Sequence, residues 1–284
     1  NSSVNGLGGG ITTLSAIGVT TQKDGTLAVD SSKLTKALNS NFSDIGGLFS
    51  TFGKSTDSLI SYAGASNATQ QGSYAVNISA LATKGSITGD LDLTAGSTSI
   101  AAGTKIKVTI DGTTADVSLA EGTYTSSELS TLLQSTINGN STFSAAGLKV
   151  NASITGSGFL KLTSESYGSS SIVSLADVSG TTISNITGTV SAGNTGTNVT
   201  GTINGQAATG SGQLLIGASG SKAEGMQLLI NGGTTGDRGT INFSRGFASQ
   251  LSTYLSNATS TAGTIQSSKD TLNKNIKFLG EQRT

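Results

Sequence analysis

Residues 105–139, KIKVTIDGTTADVSLAEGTYTSSELSTLLQSTING, decide the fold class of this chain. Apolar and polar side chains alternate over 106–110, and apolar side chains return at 117–119 after the turn pair Asp111-Gly112. Such alternation is typical of a strand with one buried face, and Asp-Gly favours a tight turn between two strands. We therefore predict a β-hairpin in the first half of this stretch.

The second half of the stretch predicts an amphipathic helix. Thr125 and Glu128 have the spacing of a capping box, which marks a helix start. The apolar residues that follow fall on one face of a helix of about three turns. They are Leu129, Leu132, Leu133 and Ile137. Strand patterns resume after Asn138-Gly139, at 148–154, 159–162 and 172–173, so we predict a β-β-α-β-β unit.

Strand patterns extend on both sides of this unit. Residues 72–80 alternate apolar and polar side chains, and residues from about 180 to 239 form short apolar runs punctuated by glycine. Both patterns indicate sheet with frequent turns. The polar stretch 53–71 carries few apolar residues, and we expect a connector or a short helix there.

Helical patterns lie towards both ends of the chain. After a hairpin signal around Asp24-Gly25, Asp30 has the position of an N-cap in front of a helical segment. From about Arg245 the apolar period returns to 3.6, with an interruption at Gly263.

These patterns predict an α+β fold in which β-rich domains are inserted between helical segments. We expect a discontinuous helical domain at 1–71 and 240–284, which includes a small β-hairpin, and a β-rich insert at 72–239. Within the insert we expect two subdomains, with about 100–178 nested within 72–99 and 179–239. The chain begins without Met and stops at Thr284 within a helical pattern, so we interpret it as part of a longer protein with truncated terminal helices.

The composition argues against enzyme chemistry. The 284 residues contain no His, Cys, Pro or Trp, and Gly occurs 40 times. Without imidazole or thiolate there is no ordinary zinc site and no Ser-His or Cys-His nucleophile. The carboxylate pairs Asp90/Asp92 and Asp111/Asp116 lack further acidic ligands at the spacing of calcium loops, so we interpret them as solvated turn residues. We expect no catalytic residue, no cofactor and no metal.

Charge and hydropathy also restrict the partners. Lys plus Arg equals Asp plus Glu at 16 each, and charged residues are 11% of the chain. Basic residues do not cluster with aromatic ones, which argues against nucleic-acid binding. No apolar run approaches the roughly 20 residues of a membrane span. We therefore expect neither nucleic acid nor membrane as a partner.

A stripe of apolar residues near the C-terminal end is the candidate interface. Such a stripe buries itself against another helix, either within the molecule or in a neighbouring subunit. Its part after Gly263 has seven-residue spacing, but the run is too short to require a coiled coil, so intramolecular packing is the simpler interpretation. The interface residues we predict are Leu251, Leu255, Ile265, Leu272, Ile276 and Leu279.

Several segments resemble the flagellar filament cap proteins, the flagellar hook-associated protein 2 family. They are IGVTTQKDGTLAVDSSKLTKALNSN (17–41), QGSYAVNISALAT (71–83), GTINGQAATGSGQLLIG (201–217), EGMQLLINGG (224–233) and GTINFSRGFASQLSTYL (239–255). Residues at about 100–175 also resemble the hook IN motif of flagellar axial proteins, with Ile137-Asn138 closing the helix. Together these segments cover most of the chain.

The resemblance implies a structural protein rather than an enzyme. Members of this family form a homo-oligomeric ring of four to six subunits at the distal tip of the bacterial flagellum, outside the cell, after export by the flagellar type III system. Their partners are flagellin and the hook-filament junction proteins, with host mucus as a further candidate. The resemblance makes the helical domain the leg and the β-rich insert the head, and we expect the stripe to pack on Leu34, Leu38, Leu48 and Phe49 in the leg bundle.

Two other interpretations stay open at this point. A hook-filament junction protein or a flagellin outer domain would also combine helical ends with β-rich inserts. A secreted adhesin or surface-layer fragment would share the Ser/Thr/Gly-rich, cysteine-free composition, but we would expect a fixed-period repeat, and the sequence contains none.

Overall fold

The computed structural model describes residues 11–178, 183–190, 192–261 and 263–282. The helices are α1 (Ser31–Phe49), α2 (Ser126–Gly139), α3 (Ser141–Ala145), α4 (Ser184–Thr187), α5 (Phe247–Thr259) and α6 (Thr264–Glu281). The strands are β1 (Val19–Thr21), β2 (Leu27–Val29), β3 (Thr51–Ser55), β4 (Ile60–Gly64), β5 (Gly72–Ala80), β6 (Lys84–Thr88), β7 (Thr98–Ile100), β8 (Lys105–Ile110), β9 (Thr113–Ser118), β10 (Gly122–Tyr124), β11 (Val150–Ile154), β12 (Leu160–Tyr167), β13 (Val173–Asp177), β14 (Thr200–Ile203), β15 (Gln206–Ser211), β16 (Leu214–Ile216), β17 (Gln227–Ile230) and β18 (Gly236–Arg245). This combination of helices and antiparallel sheets confirms the α+β class.

The chain divides into two compact units. A helical unit comprises Asn1–Asp57, Ala68–Ala75 and Gly239–Thr284. A β-rich unit comprises Ser58–Asn67 and Val76–Arg238. The start of the glycine-punctuated segment near residue 180 lies outside the described residues.

The first part of the helical unit follows the turn and cap signals of the sequence. β1 and β2 pair antiparallel from Val19↔Val29 onward, which confirms the hairpin. Asp30 caps α1, because its Oδ1 accepts hydrogen bonds from the backbone N–H groups of Ser32 and Lys33, both at 3.0 Å. A side-chain cap of this kind satisfies N–H groups that have no partner within the helix.

A small apolar core holds the helical unit together. Its buried residues are Ile11, Ile17, Ala37, Ile45 and Leu48. Partly buried side chains packed against them are Leu14, Val19, Leu34, Phe52 and Phe247. α1 contacts α5, and α5 contacts α6. The core residues of α1 itself, Ala37, Ile45 and Leu48, lie on one side of this helix.

The stretch 53–71 differs from its prediction as a connector or short helix. β3 pairs antiparallel with β18 from Thr51↔Arg245 to Ser55↔Ile241, and β4 pairs with β17 in the β-rich unit. Pairing of the backbone with an existing strand stabilises extended structure even where side-chain periodicity is weak. The prediction was therefore wrong because the partner strands lie far away in the sequence.

Four antiparallel arrangements form the β-rich unit. One run follows the order β5-β14-β15-β16-β17-β4. Two three-stranded sheets have the orders β11-β12-β6 and β13-β8-β9, and β7 pairs with β10 as a separate ribbon. The predicted hairpin is confirmed by β8 and β9, whose turn residues Asp111 and Gly112 have φ of 50° and 87°. Left-handed conformation at both central residues is what a type I′ turn requires.

α2 supplies the centre of the main core in this unit. Its capping box is present as predicted, since Thr125 accepts from the Glu128 backbone and Glu128 accepts from the Thr125 backbone. Leu129, Leu133 and Ile137 are each 0% exposed. They pack with the buried faces of β8, β9, β12 and β13 in one apolar cluster, so the helix predicted from its periodicity organises the sheets around it.

Candidate interaction surface

The acidic side chains of the β-rich unit organise loops. Asp92 Oδ1 accepts from the backbone N–H of Thr94 at 2.8 Å and from its hydroxyl at 2.6 Å. Asp90 accepts from the hydroxyl and the backbone N–H of Thr189. The Thr189 hydroxyl, followed by its backbone N–H, lowers the pKa of Asp90, and Thr94 lowers the pKa of Asp92 in the same way.

The second carboxylate pair is also used for structure. Asp111 Oδ1 accepts from the backbone N–H of Ile172, and its Oδ2 accepts from the hydroxyl of Ser164, both at 2.8 Å. Asp116 lies 3.0 Å from Lys107 Nζ. Within the described ranges, no three Asp or Glu side chains gather where they could hold a metal ion.

Exposed large apolar side chains concentrate in the helical unit. Among the described residues, those of the β-rich unit are Leu59, Leu91 and Tyr167. Those of the helical unit are Leu27, Val29, Leu38, Phe42, Phe49, Leu251, Tyr254, Leu255, Ile265, Leu272, Ile276, Phe278 and Leu279. Exposed apolar side chains mark sites of association where they form a continuous patch.

α6 carries the clearest apolar stripe, which we call the α6 seam: Ile265, Leu272, Ile276 and Leu279. At about 100° per residue, these four positions fall within an arc of about 60° on the helix. Their exposed fractions are 59%, 60%, 59% and 60%. So narrow a stripe has the shape of a seam between two paired helices.

Charged side chains of α6 lie mostly away from the seam. Asp270, Lys274, Lys277 and Glu281 lie about 120–180° from Ile265 around the helix axis, whereas Lys269 lies about 40° from Ile265, at the border of the seam. Lys277 and Glu281 are 4.0 Å apart and highly exposed, so this ion pair adds little stability. The largely charged side of α6 opposite the seam can remain in water while the seam is covered.

α5 continues the exposed apolar surface. Leu251 and Leu255 are 58% and 52% exposed. They are four residues apart and therefore lie on one face of α5. The structure thus places all six predicted interface residues on α5 and α6 of the helical unit.

Within the part of the chain that the structure describes, the stripe is not buried against Leu34, Leu38, Leu48 and Phe49, and its packing partner stays a prediction. Leu48 is buried and Leu34 is partly buried, but both belong to the small core that also contains Phe247 at the start of α5. Leu38 and Phe49 are themselves 38% and 44% exposed. The core side of α1 packs on the turn Leu14–Ile17 and on β3. More than half of each side chain in the stripe is exposed among the described residues.

Other exposed apolar residues were not among the predicted interface residues. Tyr254 and Phe278 are 71% and 59% exposed, and Phe42 on α1 is 75% exposed. Phe278 lies about 140° from Ile265 around α6, so a search for a single stripe passes over it. Leu27 and Val29 alternate on β2 and both are exposed, which a search for the helical period cannot detect.

None of the described helices is both long enough and apolar enough to cross a membrane. The exposed apolar residues of α5 and α6 are separated by polar ones at helical spacing. This arrangement suits pairing with another amphipathic helix.

A family model described as "Flagellar hook-associated protein 2 C-terminus" matches residues 1–284. No curated protein matches the chain significantly. Among solved structures, the D2-D3 domains of the flagellar cap protein FliD from Escherichia coli are 22% identical, over 70% of this chain and 100% of that chain, with a TM-score of 0.43. FliD (HAP2) from Pseudomonas aeruginosa PAO1 is 18% identical, over 79% of this chain and 96% of that chain, with a TM-score of 0.39.

The assignment of this chain to a family rests on the family model, because that model matches the whole chain. It agrees with the family resemblance of the segments at 17–41, 71–83 and 201–255. The hook IN motif at about 100–175 stays a prediction. The chain belongs to the flagellar hook-associated protein 2 family, the cap proteins of the flagellar filament.

Proposed function

We propose that this chain is a structural part of the cap at the distal tip of the bacterial flagellar filament, outside the cell. Copies of the protein form an oligomeric ring that promotes the folding and insertion of flagellin. The observation that carries this function is the match of the family model to residues 1–284. The role is structural rather than enzymatic, in keeping with a chain that lacks His and Cys.

The two units take different parts in this function. The helical segments, 1–71 and 240–284, act as the leg, and the β-rich insert, 72–239, acts as the head with its two subdomains. Support comes from the exposed apolar side chains, which are abundant in the helical unit and sparse among the described residues of the β-rich unit. Buried apolar anchors dominate tight association, so the leg makes the lasting contacts and the head the transient ones.

The leg interface is the stripe Leu251, Leu255, Ile265, Leu272, Ile276 and Leu279. Its exposure in the single chain supports a contact with a neighbouring subunit. The α6 seam has the spacing of paired helices, and the charged positions opposite it remain solvated. The ring of four to six subunits rests on the family resemblance.

Contacts with other proteins follow from the position at the filament tip. Flagellin meets the cap each time a subunit is inserted, and the hook-filament junction proteins meet it before the filament grows. Host mucus is a further candidate partner of the exposed head. Small Gly, Ser and Thr side chains offer few desolvated anchors, which suits contacts that form and break repeatedly.

Complementation tests this function. Flagellated cells that lack their own cap receive the full-length parent gene, and electron microscopy scores their filaments while immunoblotting measures flagellin in the medium. We expect restored filaments and little leakage of flagellin. Cells that retain hooks only and keep shedding flagellin, despite confirmed export of the protein, would overturn the proposal.

A further inference from the structure

β11 lies at the edge of the sheet β11-β12-β6. The backbone N–H of Glu165 donates to the Lys149 carbonyl at 2.9 Å, so this pair of residues is the hydrogen-bonded kind. In an antiparallel pair the hydrogen-bonded residues alternate with residues whose N–H and C=O point the other way. Val150 and Ala152 therefore direct their backbone groups outward, away from β12.

Two side chains of α2, the helix that packs along β11, satisfy three of these four outward groups. Asn138 Oδ1 accepts from the Val150 N–H at 2.8 Å, and Asn138 Nδ2 donates to the Val150 carbonyl at 2.9 Å. Gln134 Oε1 accepts from the Ala152 N–H at 2.9 Å. The two amides are four residues apart on α2 and thus lie on one face of the helix.

The side-chain amide of Asn138 imitates a neighbouring strand. It carries one acceptor and donors in a plane, as a peptide group does, and it bonds both backbone groups of one residue. Ile137, immediately before it, is 0% exposed in the core. Ile137 thus anchors the end of α2 in the core, and Asn138 bonds to the edge of β11.

We propose that Gln134 and Asn138 cap the edge of β11 and prevent a second copy of this chain from pairing with it, strand to strand. An uncovered edge strand presents unpaired N–H and C=O groups that template pairing with another chain. The ring of the proposed function brings several copies together, so protection of this edge matters most there. The importance in the ring rests on the proposed function, whereas the capping of the edge does not.

Hydrogen exchange and sedimentation on the purified chain test the proposal. We expect Asn138→Ala to speed exchange of the Val150 amide by about tenfold or more, and Gln134→Ala to do the same for Ala152, since each loses its acceptor. In the double variant we expect self-association that rises with protein concentration. Protection of the Val150 and Ala152 amides should return as the copies associate, because the edges then pair with each other.

Matched variants distinguish loss of the edge cap from a general loss of structure. Gln134→Glu keeps an acceptor for the Ala152 N–H, so its exchange should match the natural chain. Gln206→Ala removes an exposed amide of β15 and should leave the chain monomeric to the same extent as before. A double variant that exchanges rapidly at Val150 and Ala152 but shows no added association at any concentration overturns the proposal.

A second variant covers the case in which the double alanine variant does not fold. Asn138→Asp keeps the acceptor for the Val150 N–H but replaces the donor to its carbonyl with a repelling oxygen. We expect concentration-dependent association from this variant as well. Its Val150 amide should exchange as in the natural chain, because its acceptor is kept. If its sedimentation equals that of the natural chain at every protein concentration, Asn138 does not protect the edge.

Discussion

Replacing Leu272 and Ile276 together by Asp tests the α6 seam as an interface between subunits. Both side chains are about 60% exposed in the single chain, so we expect the free energy of unfolding to change by only about 1 kcal/mol, mostly from helix propensity. Full burial of a Leu or Ile side chain is worth about 1.5–3 kcal/mol. Covering the exposed part is then worth about 1–2 kcal/mol per residue, or about 2–4 kcal/mol for the pair.

This loss corresponds to an association about 30- to 1,000-fold weaker at each interface. The assay is filament growth in cells that lack their own cap and carry the altered full-length gene, with urea unfolding of the purified chain beside it. We expect short or absent filaments, flagellin in the medium and a nearly unchanged unfolding midpoint.

The double variant Thr271→Asp/Asn275→Asp is a matched control. It adds the same two charges at the same spacing, on the flank of α6 beside the seam. We expect nearly normal filaments from it. Normal filaments from the Leu272/Ile276 variant, or equal defects in both double variants, would refute the role of the seam.

Three further predictions concern the β-rich unit and the acid stability of the chain. Leu133→Ala removes a side chain that is 0% exposed and should lower the free energy of unfolding by about 2–5 kcal/mol in urea titration; a loss below about 1 kcal/mol would contradict its place in the core. Asp111→Ala removes two hydrogen-bond acceptor sites and a residue suited to positive φ, and should cost about 2–4 kcal/mol, with Asp111→Asn costing less in the same titration. Hydrogen bonds lower the pKa of several carboxyl groups in the folded chain, so their stabilisation is present above the unfolded pKa of about 4 and is lost as pH falls through the folded pKa. These groups are Asp24, Asp90, Asp92 and Glu128. We expect the urea midpoint to fall between pH 5 and pH 2, and a midpoint independent of pH over that interval would refute the assignment.

The local elements of the fold could be predicted because their signals lie within a few residues of each other. The Asp111-Gly112 turn, the Thr125/Glu128 capping box and the apolar face of α2 each depend on short-range geometry. The structure confirms all three. The same holds for Asp30 as the cap of α1.

The pairing of strands that are distant in the chain could not be predicted from the sequence. The stretch 53–71 was predicted to be a connector or short helix, because its own residues carry no signal of a strand. Its strands form because β3 pairs with β18 and β4 pairs with β17. The α6 seam is exposed among the described residues, whereas the sequence favoured its packing within the molecule. Periodicity shows that a face is apolar, but whether the same chain covers it depends on where the other helices lie.

The sequence by itself determined the α+β class, the absence of His and Cys chemistry, the positions of the caps and turns, and the family to which the chain belongs. Only the tertiary structure decided that the stripe on α5 and α6 is exposed among the described residues and that Asn138 and Gln134 bond to the edge of β11. The physical reason is the range of the interactions. Turns and caps are fixed by neighbouring residues, whereas burial and strand edges depend on which distant segments the folded chain brings alongside.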